Sequence, residues 1–259
     1  MGELTIATGL FLLSAAFFAG FVDSIAGGGG LIQLPALLIA LPKTETVTVL
    51  GTNKLGSVFG TTVAASLYRR EIRPESRVLL AMALPAFIGS AGGASLASRI
   101  PTSSMRPIVL ILLIVVAIYT WLKPDLGEIE ALRHHSNRRV VIAALSGAII
   151  GFYDGIFGPG TGSFLMLVLV ASLGYAFITA SAIAKIVNVA TNLGAILIFG
   201  IHGAIIWQIG LALGAANVTG AIIGTRLAIR GGSTLVRKVF LIVTVALIIK
   251  VGIDTFQSF

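Results

Sequence analysis

The chain has 259 residues, of which 56% are hydrophobic and only 11% are charged, and its mean hydropathy is +1.02. A soluble domain carries about 25% charged residues, so this composition excludes a water-soluble enzyme, a disordered chain and a nucleic-acid-binding domain. The net charge of +8 comes from basic residues that lie between apolar segments, which indicates membrane orientation and not phosphate binding. The absence of cysteine excludes disulfide and iron–sulfur chemistry, and we expect no cofactor.

Ten apolar segments follow one another along the chain, at 4–25, 31–41, 46–68, 77–98, 104–122, 138–156, 163–174, 177–200, 205–228 and 236–255. A bilayer core of roughly 30 Å needs about 20 helical residues, so eight of them are long enough to span it. The first lacks the basic residues that precede a cleaved signal sequence, and we expect it to be a retained membrane segment. The segments 31–41 and 163–174 reach only about 16–18 Å, which predicts one broken or re-entrant helix in each half.

Each short segment follows a glycine-rich break, at 27–30 or 158–162. Glycine admits positive φ angles and close approach by a ligand, and a helix that begins after such a break directs its free N–H groups toward it. This pattern predicts an anion site, to which Thr161 and Ser163 add hydroxyl donors. Its predicted members in the two breaks are Gly28, Gly29, Gly30, Gly160, Thr161, Gly162 and Ser163. The alternative is that the glycines only let helices cross closely, which we favour for the pairs Gly89/Gly93 and Gly220/Gly224.

The two halves of the chain repeat each other. An offset of 131 (151 − 20) places 20–106 on 151–237 without a gap, and 21 of the 87 aligned positions are identical. Asp23 falls on Asp154 and Lys54 falls on Lys185. Shared membrane composition explains apolar identities but not paired charges in apolar segments, so we infer a duplication.

Most basic residues lie in three polar stretches, which hold four Lys or Arg each: 69–77, 123–139 and 226–238. The loops expected on the other side hold Lys43, Arg99, Arg106 and Lys250. Five segments per half make the halves inverted, and the basic stretches then face the cytoplasm. We therefore predict an all-α polytopic helical bundle in the cytoplasmic (inner) membrane, with both termini outside. Its two inverted repeats would be 1–123 and 138–259, joined by a polar cytoplasmic linker at 124–137.

Four motifs resemble the TauE/SafE sulfite exporter family over nearly the whole chain. They are Gly20-Phe21-x-Asp23-x3-Gly27, Gly151-Phe152-x-Asp154-x3-Gly158, Gly51-Thr52-Asn53-Lys54 and Gly220-x3-Gly224-x-Arg226-Leu227. The resemblance implies secondary transport of a sulfur-containing anion, such as sulfite or an organosulfonate, without defining which. The second half departs from the first, because Ala184 stands opposite Asn53 and Pro159 stands opposite a glycine. Any binding site is therefore only pseudo-symmetric.

Lys54 and Lys185 lie well inside apolar segments, where a cation is costly and should face the interior of the bundle. They could meet near the midplane and attract a dianion such as sulfite, because an ammonium supplies charge and up to three donors. Alternatively, each could form a helix-packing ion pair with the acid of its own half, Asp23 or Asp154. The two interpretations coexist if the substrate competes with the acid. Asp23 and Asp154 are also candidate carriers of a coupling proton.

Further polar side chains follow each lysine on the same helical face. They are Ser57 and Thr61 in the first half and Asn188 and Asn192 in the second, and Asn53 adjoins Lys54 directly before it. This stripe either lines a substrate path or forms hydrogen bonds between helices. His202 is expected at the membrane interface, and His134 and His135 in the solvated linker.

Three functions remain open from the sequence. The first is a secondary anion exporter, whose partners are a small anion and the lipid bilayer. The second is a passive anion channel, which a continuous water path through both breaks would favour. The third is an intramembrane hydrolase that uses Ser163 and His202. The chain has no ATP-binding loop, which argues against a primary pump.

Overall fold

A computed structural model describes residues 5–99 and 127–256, and within these ranges all regular structure is helical. The first half contains α1 (Ile6–Ala26), α2 (Gly30–Ala40), α3 (Thr46–Glu71) and α4 (Ser76–Leu96). The second half contains α5 (Ser136–Ile156), α6 (Thr161–Leu167), α7 (Phe177–Ile201) and α8 (Trp207–Phe256), and a π-helical turn at Val168–Ser172 continues α6. The predicted all-α class is confirmed for these residues, and the predicted segment 104–122 lies outside them.

Five of the described helices are long and apolar enough to cross a membrane, by length and composition: α1, α4, α5, α7 and α8. The two short segments are short helices, as predicted, and begin within two residues of the expected positions. α3 has 26 residues, or about 39 Å of helix, but is less apolar than the five. Three consecutive polar residues of this helix, Thr52, Asn53 and Lys54, are buried.

α8 corrects one sequence prediction, because the expected loop at 226–238 is largely helical. The helix is interrupted only at Gly232, whose φ of 61° and ψ of −162° are accessible mainly to glycine. A straight helix of 50 residues would be about 75 Å long, more than twice the thickness of a bilayer core. The break lets the second arm pack on the start of α7, where the rings of Phe177 and Phe240 lie 5.5 Å apart.

Small residues hold the long helices together. α4 packs on α5, where a Cβ at Gly89 would collide with the carbonyl oxygen of Ala148. α1 packs on α8 in the matching way, with Gly220 against the carbonyl oxygen of Phe17. These two contacts exchange under the 131-residue offset. The predicted packing role of these small-residue motifs is confirmed.

The three basic stretches meet at one end of the bundle, here called the linker end. Arg139 at the start of α5 pairs with Glu75 before α4 at 3.1 Å. Glu128 in the linker pairs with Arg237 on α8 at 3.7 Å. The linker also contacts the turn after the second short helix, because the N–H of Ala131 donates to the carbonyl oxygen of Gly174 at 2.9 Å. The stretches predicted to share a side of the membrane therefore share an end of the molecule.

Candidate functional site

The two glycine breaks adopt backbone conformations that depend on glycine. In the first break, Gly27 and Gly28 have φ angles of 78° and 97°. In the second, Gly158 and Gly160 have φ angles of 89° and 85°. Proline is confined to a φ near −65°, so Pro159 cannot adopt the left-handed conformation of its mate Gly28. The second positive φ moves instead to Gly160, and the breaks are similar but not equivalent.

The breaks touch each other in the middle of the bundle. A Cβ on Gly27 would lie 2.5 Å from the carbonyl carbon of Gly162 and 2.5 Å from the nitrogen of Ser163. The hydroxyl of Ser163 donates to the carbonyl oxygen of Ala26 at 3.2 Å, which joins the second break to the end of α1. The two halves thus meet through backbone that only glycine allows to approach so closely.

Both predicted lysines are buried, and each forms an ion pair with the opposite half. Lys54 Nζ lies 2.6 Å from Asp154 Oδ1, and Lys185 Nζ lies 2.9 Å from Asp23 Oδ2. The alternative in which each lysine pairs with the acid of its own half is therefore wrong. Contact between the breaks explains the exchange, because it brings the end of α1 against α6 and α7 of the other half. The two pairs map onto each other under the repeat offset.

A polar cavity of about 30 Å³ lies where the breaks meet. One water molecule requires roughly 10–15 Å³ in this measure, so the cavity can hold a small polar species. Its walls are formed by Asp23, Gly28, Gly30, Asn53, Lys54, Ser57, Thr61, Asp154, Gly158, Gly160, Thr161, Gly162, Asn188 and Asn192. The structure thus brings together thirteen of the sixteen candidate residues named from the sequence. We call this the central cavity.

Three candidate residues do not line the central cavity: Gly29, Ser163 and Lys185. Lys185 lies behind Gly162, with its side chain fully buried. The N–H of Gly29 donates to Asp23 Oδ1 at 3.3 Å. The expected hydroxyl donors also have partners within the protein, because Ser163 binds Ala26 and Thr161 donates to Asp154 Oδ1 at 2.6 Å.

Two polar atoms of the cavity residues are buried and have no hydrogen-bond partner among the described residues. They are Asn53 Oδ1 and Asp154 Oδ2. Asn53 is 6% exposed and Asp154 is 1% exposed. Both atoms are acceptors, so the site lacks donors at these points. A buried acceptor without a partner costs free energy unless a proton, water or ligand reaches it.

The sequence analysis missed a buried amide network beside the cavity. Asn217 on α8 donates to Gln33 Oε1 at 3.1 Å and to the carbonyl oxygen of Ala16 at 3.2 Å. Gln33 in turn donates to the carbonyl oxygen of Asn53 at 3.2 Å. The network ties the short helix α2 to α1, α3 and α8. Its signal was present in the sequence, since Gln33 is the one amide in the apolar segment 31–41 and Asn217 has apolar residues on both sides.

A second cavity, of about 200 Å³, lies at the end of the bundle opposite the linker end. Its walls include Glu45, Thr48, Phe199 and the exposed His202. Thr48 lies five residues before Asn53 on α3, so about 7–8 Å of helix separates this outer cavity from the central one. The buried apolar residues Val49, Leu50, Ala195 and Phe199 occupy the same stretches of α3 and α7.

The structure does not assemble the hydrolase predicted as an alternative. The hydroxyl of Ser163 donates to the carbonyl oxygen of Ala26, whereas His202 Nδ1 bonds to the carbonyl oxygen of Ile198 at 2.8 Å. Ser163 is fully buried beside the central cavity, and His202 lines the outer one. A nucleophile requires a base within hydrogen-bond reach, and this pair does not provide one.

Comparison with known proteins gives one family. The profile described as "Sulfite exporter TauE/SafE" matches residues 12–251. The probable membrane transporter protein ORF9 of Sinorhizobium sp. is 41% identical over 245 residues, which cover 94% of this chain and 92% of the relative. The probable membrane transporter protein YfcA of Escherichia coli strain K12 is 37% identical over 94% of this chain and 89% of its own.

A probable membrane transporter protein of Haemophilus influenzae is 33% identical over 94% of both chains. No solved structure matches. The profile covers most of the chain, and these relatives align over nearly their whole length. The chain is therefore a membrane transporter that belongs to the sulfite exporter TauE/SafE family.

Proposed function

We propose that this transporter is a secondary exporter of a sulfur-containing anion, sulfite or an organosulfonate, which binds in the central cavity. The observation that carries the proposal is the position of Lys54. Its ammonium lines a polar cavity at the crossing of two glycine breaks, inside a helical bundle of a sulfite exporter family. A compact oxyanion suits a small cavity with an ammonium at its wall, because the ammonium supplies both charge and donors.

The charges of the site explain how an anion is admitted. Lys54, Lys185, Asp23 and Asp154 sum to zero, so the resting site has no excess positive charge. Each ammonium already has a carboxylate within 2.9 Å. An anion therefore competes with a carboxylate for its lysine, and the ion pairs hold the site closed when it is empty. Backbone N–H groups at the breaks, which require no protonation, then supplement the ammonium.

The proposed architecture is a pair of inverted repeats, 1–123 and 138–259, related by a pseudo-two-fold axis through the central cavity. The exchange of contacts under the repeat offset supports it, in the helix pairs and in the two ion pairs. The meeting of the basic stretches at the linker end supports a cytoplasmic position for that end. Both termini would then lie outside.

We propose alternating access in preference to a passive channel. The separation of the central and outer cavities by buried apolar residues of α3 and α7 supports closure on the outer side. Movement of one repeat against the other would expose the site to each side in turn. A carrier predicts that unlabelled anion inside vesicles accelerates entry of labelled anion, whereas a channel predicts no acceleration.

The test is transport of labelled sulfite, an alkyl sulfonate and thiosulfate into sealed proteoliposomes. We expect Lys54→Met and Lys185→Met each to lose at least nine-tenths of transport, because each leaves an unpaired carboxylate in the site. Lys54→Met/Asp154→Asn removes both charges of one pair, so it should fold and still fail to transport.

Lys43→Met is the matched control, since Lys43 is exposed in the turn between α2 and α3. It should transport normally. Wild-type transport by Lys54→Met/Asp154→Asn would make the pair purely structural and the proposed site wrong.

A further inference from the structure

The two ion pairs differ in their access to the central cavity. Lys54 and Asp154 both line it, whereas only Asp23 of the other pair does so. The side chain of Lys185 is fully buried and that of Asp23 is 16% exposed. Of the two buried lysines, Lys54 is therefore the one placed to touch an anion in the cavity, and Asp154 is the carboxylate that holds it.

The two carboxylates also differ in how their oxygens are satisfied. Asp23 Oδ1 accepts from the N–H of Gly29, and its Oδ2 accepts from Lys185. Asp154 Oδ1 lies against Lys54 and also accepts from the hydroxyl of Thr161. Asp154 Oδ2 is buried and has no partner among the described residues. A proton on Oδ2 would make it a donor and remove the negative charge.

We infer that Asp154, and not Asp23, takes up the proton that releases Lys54 for an anion, so that one proton moves with each monovalent anion; this inference rests on the proposed function. The balance of the step is simple. A proton from water forms an O–H bond at Oδ2, and Lys54 Nζ exchanges Oδ1 for an oxygen of the anion. The site then gains one positive and one negative charge. Release of the anion and the proton on the other side restores the ion pair.

The surroundings of Asp154 leave few other groups to titrate with it. Lys54 faces it from α3, and the Asp23–Lys185 pair lies across the breaks on α1 and α7. Tyr153 adjoins it on α5, and its hydroxyl donates to the carbonyl oxygen of Pro159. α6 has no charged residue, and α4 has none after Arg77. Among the described residues around the central cavity, the charged groups that face one another are therefore these two carboxylates and their two lysines.

The experiment uses proteoliposomes with and without a pH gradient. Methanesulfonate is the first probe because it stays a monoanion over the assay range, and sulfite is used if methanesulfonate does not exchange. We expect the wild type to move the anion from the acidic side of the membrane to the less acidic side and to concentrate it there. Asp154→Asn carries a permanent neutral donor at this position, so it should exchange the anion at equal pH but not concentrate it. Glu71→Gln is the control, because it removes an exposed carboxylate at the end of α3, away from the central cavity, and it should still concentrate the anion.

Each outcome has one consequence. If the wild type exchanges no anion at any pH, the proposed function fails. If it exchanges anion but ignores the gradient, or if Asp154→Asn still concentrates it, only the role of Asp154 is overturned.

A second measurement covers the case in which Asp154→Asn does not fold. Purified wild type in weakly buffered detergent solution should take up about one proton for each methanesulfonate or sulfite monoanion that it binds, read with a pH indicator. Binding without proton uptake would overturn the inference.

Discussion

Single polar side chains in apolar helices decide much of how the centre of this protein is held. Asn217 is 3% exposed and donates both to Gln33 and to the carbonyl oxygen of Ala16. Gln33 is fully buried, and its Oε1 accepts a hydrogen bond from Asn217. A buried acceptor that loses its donor keeps its desolvation cost, which is about 1–3 kcal/mol. These amides therefore stabilise the position of α2 and, through it, the first glycine break.

We predict that Asn217→Ala lowers the free energy of unfolding by about 1–3 kcal/mol, because it leaves Gln33 Oε1 unpaired. Thermal unfolding of the purified protein in detergent measures the effect as a lower Tm. The control is Thr219→Ala on the same helix, since Thr219 is exposed and its hydroxyl donates only to the carbonyl oxygen of Ala216 in its own helix. Equal Tm values for the two variants would contradict the role of the network.

At the scale of elements, the glycine breaks set where the short helices begin and how closely they approach. Gly27 has a positive φ and lies against the backbone of Gly162 and Ser163. An alanine at this position meets both obstacles, left-handed backbone strain and a collision with backbone that cannot move like a side chain. Gly9 lies in α1 with nothing within 4 Å of an added Cβ. The same substitution there meets neither obstacle.

Gly27→Ala is therefore expected to abolish transport and lower the Tm, because the breaks must separate to admit the side chain. Gly9→Ala should transport normally and be stabilised by up to about 1 kcal/mol, the usual gain of alanine over glycine in a helix. Transport rates in proteoliposomes and Tm in detergent compare the two. Normal transport by Gly27→Ala would show that contact between the breaks is dispensable.

At the scale of the molecule, opposite ends of the bundle carry different charge. Arg73 lies in the exposed loop between α3 and α4, close to the Glu75–Arg139 ion pair at the linker end. His202 lies in the exposed turn between α7 and α8 at the other end. The two positions are repeat mates to within two residues (73 + 131 = 204). Inverted repeats require them to face opposite sides of the membrane.

Arg73→Cys and His202→Cys test this requirement, because the natural chain contains no cysteine and gives no background. We expect a membrane-impermeant thiol reagent to label His202→Cys in intact cells and Arg73→Cys only after the cytoplasmic face is opened. Labelling of both from one side would rule out the inverted arrangement.

The sequence by itself determined the class of the protein and the kinds of residue at its centre. Long apolar segments must be helical in a membrane because their backbone groups have no other hydrogen-bond partners there. Charged residues and glycine clusters inside such segments cost free energy, so they indicate a functional site. Sequence was thus sufficient for the helical class of the described residues, the two short segments and thirteen of the residues that line the central cavity.

Only the tertiary structure decided which residues meet. Asp23 and Lys54 are 31 residues apart in one half, yet Asp23 pairs with Lys185, because the breaks cross and bring each carboxylate to the opposite repeat. The two ion pairs also differ in their surroundings because of packing. Gly162 lies between Lys185 and the central cavity, whereas Thr161 donates a hydrogen bond to Asp154. Repeat spacing is the same for both lysines, whereas their access to the cavity depends on packing between the halves.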